Sequence, residues 1–351
     1  MIATILLFIL VFGVIVISHE FGHFLLAKAN GIHVVEFSVG MGPNIFSFKK
    51  GDTKYSIKLL PIGGACMFEG EDGLNAKEGE MSEGAFPNAS VWARISTVVA
   101  GPLFNFILAF IVSLIMVQFI VIQEPVITEV TQESAAQEAG LLPGDRIISL
   151  NGSKVYLYQE VSVFNQMNKG AEVTVVYERD GEKRGTVLTP KFDETYGRYM
   201  FGIVNNSYVE LKGLDGLKYA WYEVRSGVIT TYKSLAMLIQ GKVSRTEVAG
   251  PVGMANIVGD IYEETKDSPM DVFVNMLNII MLLSVNLGIL NLLPIPALDG
   301  GRLVFLLIEL VRGKPVPPEK EGIIHFIGFV FFMILMVVVF FNDISNIFFS
   351  K

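Results

Sequence analysis

Two histidines and a glutamate near the N-terminus have the types and spacing found in metal-dependent hydrolases. His19 and His23 are four residues apart, so on a helix both imidazoles project from one face about one turn apart. That geometry suits two nitrogen ligands at about 2.0–2.1 Å from one Zn²⁺. Glu20 adjoins the first histidine, where its carboxylate can take a proton from a zinc-activated water. We therefore predict that His19 and His23 bind zinc and that Glu20 is the catalytic base.

The composition around this motif is that of a membrane protein. Hydrophobic residues make up 51% of the chain and charged residues 18%, and the mean hydropathy is +0.50. The motif directly follows the uncharged segment Ile2–Ser18, which we expect to be a retained span rather than a cleaved signal peptide. Ionisable groups at that depth cost about several kcal/mol unless a metal, water or partners compensate. The alternative is that the helix leaves the membrane at Ser18 and the motif lies at the interface.

Four apolar segments are long enough to cross a bilayer as helices. They are Ile2–Ser18, Ile95–Ile122, Val272–Leu293 and Ile323–Phe341. Basic residues concentrate in the loops between the first two and between the last two segments. They are Lys28, Lys49, Lys50, Lys54, Lys58, Lys77, Arg94, Arg302, Arg312, Lys314 and Lys320. The positive-inside rule places these loops in the cytoplasm and both termini outside, together with the long insert between the second and third segments.

The sequence therefore predicts a polytopic α-helical membrane protein with four transmembrane helices, a membrane-associated β-hairpin loop and an inserted extracytoplasmic α/β domain. The hairpin signal Asn151-Gly152 and the turn Arg179-Asp180-Gly181-Glu182 lie in that domain. The predicted regions are 1–29 (first membrane helix), 30–90 (β-loop), 91–123 (second membrane helix), 124–210 (inserted domain), 211–270 (amphipathic helix and connector), 271–312 (third membrane helix) and 313–351 (fourth membrane helix and tail).

Asp299 is the best candidate for the third zinc ligand, because a catalytic zinc takes three protein ligands and keeps one open position. Pro294 and Pro296 break the third apolar helix at its cytoplasmic end, and broken helices are tolerated in membranes where they line a protein cavity. The predicted topology places Asp299 on the same side as His23. The alternative role, capping the N-terminus of a helix over Gly300–Leu310, is compatible with ligation.

The remaining candidate ligands are weaker. His33 lies just past the first span and is expected at the surface, whereas His325 begins the fourth span and is expected to pack or to form a hydrogen bond. Cys66 is the only cysteine, so a cysteine cluster cannot hold the zinc and no intrachain disulfide can form.

Two separated motifs give the whole chain a resemblance to a known family. They are His19-Glu20-x-x-His23 and Asn291-x-x-Pro294-x-Pro296-x-Leu298-Asp299-Gly300. With a PDZ-like insert between them, the chain resembles the site-2 protease family of intramembrane zinc metalloproteases, in its bacterial regulator-of-sigma-E branch with a single PDZ domain. The resemblance implies Zn²⁺ bound by His19, His23 and Asp299, with Glu20 as general base.

The resemblance also suggests substrate-binding residues. Asn291 is similar to the residue that holds the substrate backbone near the zinc, and Gly101-x-x-x-Asn105 resembles a small-residue packing motif beside the site. The expected substrate-binding set is Asn291, Asn105, Pro294 and Pro296. Helix packing alone is the alternative role for Asn291 and Asn105.

Two further elements resemble substrate-handling parts of this family. Three predicted strands follow the zinc motif, at Val34–Gly40, Ile45–Phe48 and Tyr55–Leu60. Their free edge, expected at Ser56 and Ile57, would pair with an unwound substrate, or the hairpin only plugs the site.

At the end of the insert, Phe201, Gly202 and Ile203 resemble a PDZ loop that captures a peptide C-terminus; the alternative is a structural turn. Gly250-Pro251-Val252-Gly253 matches a family element whose chemistry the sequence does not reveal.

The implied function is cleavage in or near the transmembrane segments of single-span membrane proteins, such as anti-sigma factors or signal-peptide remnants, after an upstream site-1 protease. The implied location is a bacterial plasma membrane, with a multi-pass chain whose active site lies toward the cytoplasm. A membrane-anchored zinc protease that cuts soluble or loop substrates and a non-catalytic PDZ scaffold are the alternatives. The net charge of −8 without a long basic run gives no indication of nucleic-acid binding.

Overall fold

Four helices of the described chain are long and apolar enough to cross a membrane, and each overlaps one of the four predicted spans. They are Ile2–Ala29, Val91–Met116, Pro269–Leu292 and Glu319–Asn346. The first helix continues well past Ser18 and contains both His19 and His23. The motif is therefore helical throughout and does not mark the end of the helix.

The computed structural model describes residues 2–71, 81–244 and 248–349, so Lys77 and part of the predicted region 30–90 lie outside the described residues. In chain order the helices are α1 (Ile2–Ala29), α2 (Val91–Met116), α3 (Ala135–Glu138), α4 (Tyr158–Asn168), α5 (Asp215–Ile239), α6 (Pro251–Thr265), α7 (Pro269–Leu292), α8 (Asp299–Arg312) and α9 (Pro318–Phe349). The strands are β1 (Val34–Lys50), β2 (Thr53–Phe68), β3 (Glu129–Val130), β4 (Arg146–Leu150), β5 (Ser153–Lys154), β6 (Val173–Arg179), β7 (Glu182–Leu188), β8 (Lys191–Asp193), β9 (Arg198–Met200) and β10 (Ile203–Val204).

The chain divides into two units. One consists of Met1–Val112 and Gly227–Lys351 and is called the membrane unit below; the other, Ser113–Ser226, is called the inserted unit. The inserted unit includes the end of α2 and the first half of α5 in addition to the predicted domain 124–210.

β1 and β2 are long, bent strands that together form a sheet of four segments. Residues 36–39 of β1 pair with 54–57 of β2 on one side and with 64–67 on the other. Residues 54–57 also pair with 46–49 of β1. Segments 46–49 and 64–67 are therefore the outermost ones in this pairing.

The three predicted strands lie within these two long strands, but the predicted free edge is wrong. Ser56 pairs with both Ser38 and Ser47, so it occupies a central segment. Alternating side chains mark a strand without indicating which segments lie beside it. The outer segment 64–67 is the one that the sequence analysis left without a strand.

The break between α7 and α8 lies at the predicted prolines. α7 ends at Leu292, and α8 begins at Asp299, one residue before the predicted start. Leu298 occupies the N-cap position of α8, so the alternative in which Asp299 caps this helix is wrong. The side chain of Asp299 is consequently available for other contacts.

A buried ion pair holds α8 against α2. Both terminal guanidinium nitrogens of Arg94 donate to the carboxylate of Glu309, at 3.1 and 2.5 Å. Bidentate pairs of this kind fix orientation as well as distance. α8 is thus positioned by a contact far from Asp299 in the helix.

α6 is a helix that the sequence analysis did not predict, and its N-terminus is fixed by a side chain from α9. The two carboxylate oxygens of Asp343 accept the backbone N–H groups of Gly250 and Gly253, at 2.9 and 2.8 Å. A Cβ on Gly250 would come within 2.4 Å of Val339. The glycines of the Gly250–Gly253 motif therefore permit close approach of α9.

The inserted unit has a core formed by β4, β6, β7 and the short helices α3 and α4. Ile147, Leu150, Val161, Val173 and Val175 are among the buried residues of this core. The sheet order is β5-β4-β6-β7.

Both predicted turns in this unit connect adjacent strands. Asn151 and Gly152 have φ angles of 47° and 77°, and Asp180 and Gly181 have 54° and 80°. Positive φ at both central residues is typical of the type I′ turns that favour these residue pairs. The predicted hairpin signal at Asn151-Gly152 is confirmed.

Candidate active site

The two histidines of α1 present one ring nitrogen each to a common point. Their Nε2 atoms lie 3.2 Å apart, and the rings are nearly perpendicular, at 86°. Both side chains are buried, with 9% of His19 and 8% of His23 exposed. The four-residue spacing on α1 therefore produces the convergent pair that the sequence predicts.

Asp299 completes a triangle with the two imidazoles. Its Oδ2 atom lies 3.2 Å from Nε2 of His19 and 3.4 Å from Nε2 of His23. Tetrahedral zinc with bonds of about 2.0–2.1 Å requires its ligand atoms to lie about 3.3–3.4 Å apart. The three observed separations fit this requirement, and the donor set of two nitrogens and one oxygen is one that zinc prefers. The arrangement fits a zinc ion with one position open to solvent or substrate.

The second ring nitrogen of each histidine contacts α2. Nδ1 of His23 lies 2.9 Å from the backbone oxygen of Thr97, and Nδ1 of His19 lies 3.1 Å from the side-chain amide of Asn105. A histidine that binds metal through Nε2 carries its proton on Nδ1, which must donate. The backbone oxygen of Thr97 can accept the hydrogen bond from His23. The side chain of Asn105 can accept one from His19 when its amide is oriented with Oδ1 toward the ring, an orientation assigned from hydrogen bonding.

Gly101 provides the space in which the two imidazoles lie. A Cβ at this position would come within 2.2 Å of Nε2 of His23 and 2.8 Å of Cε1 of His19. Thr97, Gly101 and Asn105 are spaced by four residues, so they share one face of α2. Sequence reasoning found Gly101 and Asn105 but missed Thr97, for which the four-residue spacing was the available signal.

Glu20 lines the same cavity as the three candidate ligands. The cavity has a volume of about 290 Å³ and is lined by side chains from α1 and α8 and by residues 65–68 of β2. The backbone N–H of Cys66 donates to the carboxylate of Glu20. A Cβ on Gly64 would come within 2.9 Å of Cγ of Glu20, so the absence of a side chain there lets β2 lie over the glutamate. Burial raises the pKa of the Cys66 thiol, so this cysteine is un-ionised at neutral pH.

An ion pair that the sequence analysis did not predict also borders this cavity. Glu71, just after β2, pairs with Arg302, which follows Asp299 by three residues on α8. Glu71 also accepts the backbone N–H of Phe68 at 2.9 Å. The pair therefore links the end of the sheet segment beside Glu20 to the helix that carries Asp299.

The four residues expected to bind substrate lie in different surroundings. Asn291 is half-buried, with its amide nitrogen 3.4 Å from Nε2 of His19. Asn105 is fully buried behind His19. Pro294 is exposed, whereas Pro296 packs on Gly328 of α9, where a Cβ would come within 2.5 Å of Cβ of the proline. Within this set, Asn291 lies beside the candidate ligand atom Nε2 of His19, whereas Asn105 contacts the opposite ring nitrogen.

The two remaining histidines have structural partners. Nδ1 of His33 lies 3.0 Å from both the Glu69 carboxylate and the Ser82 hydroxyl. Hydrogen bonds from the backbone and side chain of Ser82 lower the pKa of Glu69. His325 accepts a backbone hydrogen bond from Ala297 at 3.0 Å, which agrees with the expected hydrogen-bonding role.

In the inserted unit, Phe201, Gly202 and Ile203 border a groove beside α4. The groove has a volume of about 60 Å³, and α4 contributes Tyr158, Val161 and Asn165 to its lining. Gly202 has a φ of 77°, which favours glycine. The predicted loop is therefore a turn between β9 and β10 that forms one wall of a narrow groove.

Comparison with known proteins identifies the family. The sequence matches peptidase family M50 over residues 7–335. It is 35% identical to the zinc metalloprotease RasP of Bacillus licheniformis and 33% identical to the regulator of sigma-W protease RasP of Bacillus subtilis. In both cases 98% of this chain and 99% of the relative are covered.

A solved PDZ domain of an SdrC-like protein from Listeria monocytogenes is 19% identical. The match covers 25% of this chain and 92% of the Listeria domain. Its TM-score of 0.22 is too low to establish the fold of the inserted unit. The family match over residues 7–335 and the two relatives establish the family without this solved structure. The chain belongs to peptidase family M50, the site-2 protease family, and is a zinc metalloprotease.

Proposed function

We propose that this protein is an intramembrane protease that hydrolyses peptide bonds in or near the transmembrane segments of single-span membrane proteins. The observation that carries the proposal is the triangle of His19, His23 and Asp299, whose ligand atoms lie 3.2–3.4 Å apart. Two of these residues belong to a helix that is long and apolar enough to span a bilayer. A protease site built on such a helix is best placed to act on peptide bonds at membrane depth.

The residues of the site have distinct roles in this proposal. His19, His23 and Asp299 would hold the zinc, which would act as a Lewis acid on water and on the scissile carbonyl. Glu20 takes the proton of the attacking water and delivers it to the nitrogen of the leaving peptide. The Cys66 N–H orients the Glu20 carboxylate for both transfers.

In this proposal Asn105 orients the zinc ligand His19. The sequence had instead suggested that Asn105 contacts the substrate. Its amide is fully buried and lies 3.1 Å from Nδ1 of His19. An oxygen at that position fixes the ring orientation and the tautomer. Asn291, which is half-buried, remains the candidate for holding the substrate backbone near the zinc.

The substrate is presented to the zinc as an added strand along residues 64–67 of β2. Peptide bonds in a helix are protected by their own hydrogen bonds, so cleavage requires an extended segment. The Ala65 carbonyl accepts from Oγ of Ser38 in β1, whereas the Cys66 N–H reaches Glu20. Because successive backbone groups in a strand face opposite sides, those of Gly64 and Cys66 face away from Ser38. With the Cys66 N–H used by Glu20, the backbone groups of Gly64 and the Cys66 carbonyl remain for the substrate.

Met67 of the outer segment is 39% exposed and allows a direct test of strand addition. In a Glu20→Gln, Cys66→Ser, Met67→Cys variant, cysteines placed one by one along a single-span substrate should form disulfides with the introduced cysteine, with strong cross-linking at every second position. The Glu20→Gln, Cys66→Ser variant provides the control and should give no cross-link. Cross-linking with a period of three or four residues would contradict an extended substrate.

We further propose that the groove beside Phe201, Gly202 and Ile203 receives a peptide C-terminus. Such a terminus arises when an upstream site-1 protease first trims the substrate outside the membrane. The turn at Gly202 and the groove beside α4 support this use. Substrates with a free C-terminal carboxylate should be cleaved faster than their C-terminally amidated counterparts, and equal rates would argue for a purely structural turn.

The name of a relative suggests a substrate class. The Bacillus subtilis relative is named regulator of sigma-W protease, so we propose single-span anti-sigma factors as substrates, with signal-peptide remnants as a second group. The proposed location is a bacterial plasma membrane, with the zinc site toward the cytoplasm.

Replacement of Glu20 by Gln tests the proposed function as a whole. The variant should keep stoichiometric zinc, because Glu20 is not a ligand, while single-span fragments accumulate in the membrane proteome of cells that carry it. The control is Asp52→Asn, which changes an exposed carboxylate in the turn between β1 and β2 and should retain cleavage. Accumulation of soluble proteins instead of membrane fragments would contradict the proposal, as would zinc-free wild-type protein.

A further inference from the structure

His325 of α9 contacts the loop that leads into Asp299. The backbone N–H of Ala297 donates to Nδ1 of His325 at 3.0 Å. An amide N–H can only donate, so Nδ1 must be unprotonated and the ring hydrogen resides on Nε2. On that side, the nearest carboxylate is that of Glu321, 3.8 Å from Nε2 and beyond hydrogen-bond distance, so the Ala297 N–H is the hydrogen bond that His325 makes in the described chain. The contact therefore fixes both the tautomer and the orientation of the ring.

The residue held by this contact has an unfavourable backbone conformation. Ala297 has a φ of 73°, in the left-handed region that residues with a Cβ rarely adopt. Such a conformation persists only where the surrounding structure holds it. Without an acceptor for its N–H, Ala297 would be expected to relax to negative φ and to change the direction of the chain two residues before Asp299.

α9 holds the same loop at a second point. A Cβ on Gly328 would come within 2.5 Å of Cβ and 2.6 Å of the backbone oxygen of Pro296. His325 and Gly328 are three residues apart and so share one face of α9. This face of α9 therefore contacts Pro296 and Ala297, which precede the candidate zinc ligand Asp299 by three and two residues.

The ligand has a narrow range of productive positions. Oδ2 of Asp299 must lie 3.2 and 3.4 Å from two imidazole nitrogens carried by another helix. Asp299 is the first residue of α8, so the path of the preceding loop determines where its side chain begins. A small displacement of Ala297 would therefore shift Oδ2 of Asp299 relative to the two imidazole nitrogens.

We propose that His325 is a positioning residue for the zinc site: by accepting the Ala297 N–H, it holds the loop that places the carboxylate of Asp299. This inference rests on the proposed role of Asp299 as a ligand. His325 itself is not a member of the ligand group, which among the described residues consists of His19, His23 and Asp299.

The test compares two substitutions that differ in the acceptor. In His325→Asn, the side-chain oxygen occupies nearly the position of Nδ1, whereas His325→Leu has a similar size and no acceptor. Zinc content, retention against a competing chelator and the visible spectrum of the Co²⁺-substituted protein are measured on the monodisperse full-length protein. We expect His325→Asn to resemble the wild type, and His325→Leu to lose zinc at about tenfold lower chelator concentration, the range found for groups that orient ligands.

The neighbouring Phe326, whose side chain is 65% exposed, gives the matched control. Phe326→Leu should retain zinc as the wild type does, with an unchanged Co²⁺ spectrum. If His325→Leu yields no monodisperse protein, His325→Phe keeps the ring and again lacks the acceptor. Wild-type zinc retention in the acceptor-free variant would overturn the inference, as would equal loss in His325→Asn, which would indicate packing alone.

The wild type and Asp299→Asn separate this inference from the proposed function. Zinc-free wild type, or Asp299→Asn with wild-type zinc affinity, overturns the ligand assignment and the inference with it. A wild type that binds zinc and an Asp299→Asn variant that loses it leave the assignment intact. In that case the comparison of His325→Asn with His325→Leu decides the inference alone.

Discussion

His19 and His23 each use one ring nitrogen for the ligand triangle and the other for a contact with α2. The contact of His23 is with the Thr97 backbone oxygen, at 2.9 Å, which no side-chain substitution at position 97 removes. The contact of His19 depends on the Asn105 side chain. The two imidazoles are therefore oriented by different means, and only that of His19 is directly sensitive to mutation of its partner.

Gly101→Ala should weaken zinc binding. The added Cβ would come within 2.2 Å of Nε2 of His23, and the imidazole cannot yield without leaving the ligand triangle. We expect zinc affinity to fall by about 10–100-fold, measured by chelator competition on purified protein. The control is Gly13→Ala on α1, where a Cβ meets nothing within 4 Å. Zinc binding by Gly101→Ala equal to that of the control would contradict the packing argument.

α6 illustrates how one buried carboxylate can fix a whole element. Asp343 is 2% exposed and accepts the two N–H groups at the start of α6. These N–H groups have no partner within their own helix, and the helix dipole favours a negative charge at this end. The contact gives the Gly250–Gly253 motif a structural explanation that its sequence did not offer.

Asp343→Leu should destabilise α6 locally without unfolding the helix. Loss of the carboxylate leaves two buried N–H groups without a partner, at a cost of about 1–3 kcal/mol each. We expect faster hydrogen exchange of the Gly250–Val258 amides, measured by mass spectrometry on detergent-solubilised protein. Ser345→Ala, at an exposed position of α9, should leave this exchange unchanged. Equal exchange in the two variants would show that Asp343 does not hold the helix.

The first half of α5 carries a buried carboxyl group within the inserted unit. Glu223 is 5% exposed and accepts a hydrogen bond from Gln159. Burial raises its pKa from 4.5 to about 7, and the nearby charge of Glu160 acts in the same direction. Glu160 itself is paired with Arg225 at 2.7 Å.

The inserted unit should therefore lose stability as the pH rises. A carboxyl with a higher pKa in the folded state favours folding below the unfolded pKa of 4.5, and that contribution disappears as the pH passes about 7. The pKa difference corresponds to about 3 kcal/mol. Protection factors of the β6 amides, which correct exchange rates for their intrinsic dependence on pH, measure the change in the full-length protein at pH 5 and pH 8. Glu223→Gln should remove most of the pH dependence, and an unchanged dependence would place its origin elsewhere.

For the whole molecule, the charge distribution predicts the sidedness of the inserted unit. The basic loops are expected in the cytoplasm and the inserted unit outside. In a Cys66→Ser background, a cysteine at Lys183 should react with a membrane-impermeant maleimide in intact cells. A cysteine at Asp52, in the turn between β1 and β2, should react only after permeabilisation. The opposite labelling pattern would invert the predicted topology.

Several features of the fold were predictable because they depend on residues near one another in the sequence. Four apolar segments predicted the four long helices, and Pro294 and Pro296 predicted the break before Asp299. The type I′ turn at Asn151-Gly152 followed from the conformational freedom of those residues. α6 was not predicted, because its start depends on a side chain from α9, about ninety residues later.

The sequence by itself determined the chemistry of the candidate site: histidines at helical spacing, an adjacent carboxylate and an aspartate after a broken helix. The tertiary structure decided that Asp299 meets the histidines at ligand distance, that residues 64–67 rather than Ser56 form the outer segment, and that Thr97 and His325 support the site. The physical reason is the range of the interactions. Spacing and composition act within a few turns of helix, whereas strand order and contacts between helices depend on segments that meet only in the folded chain.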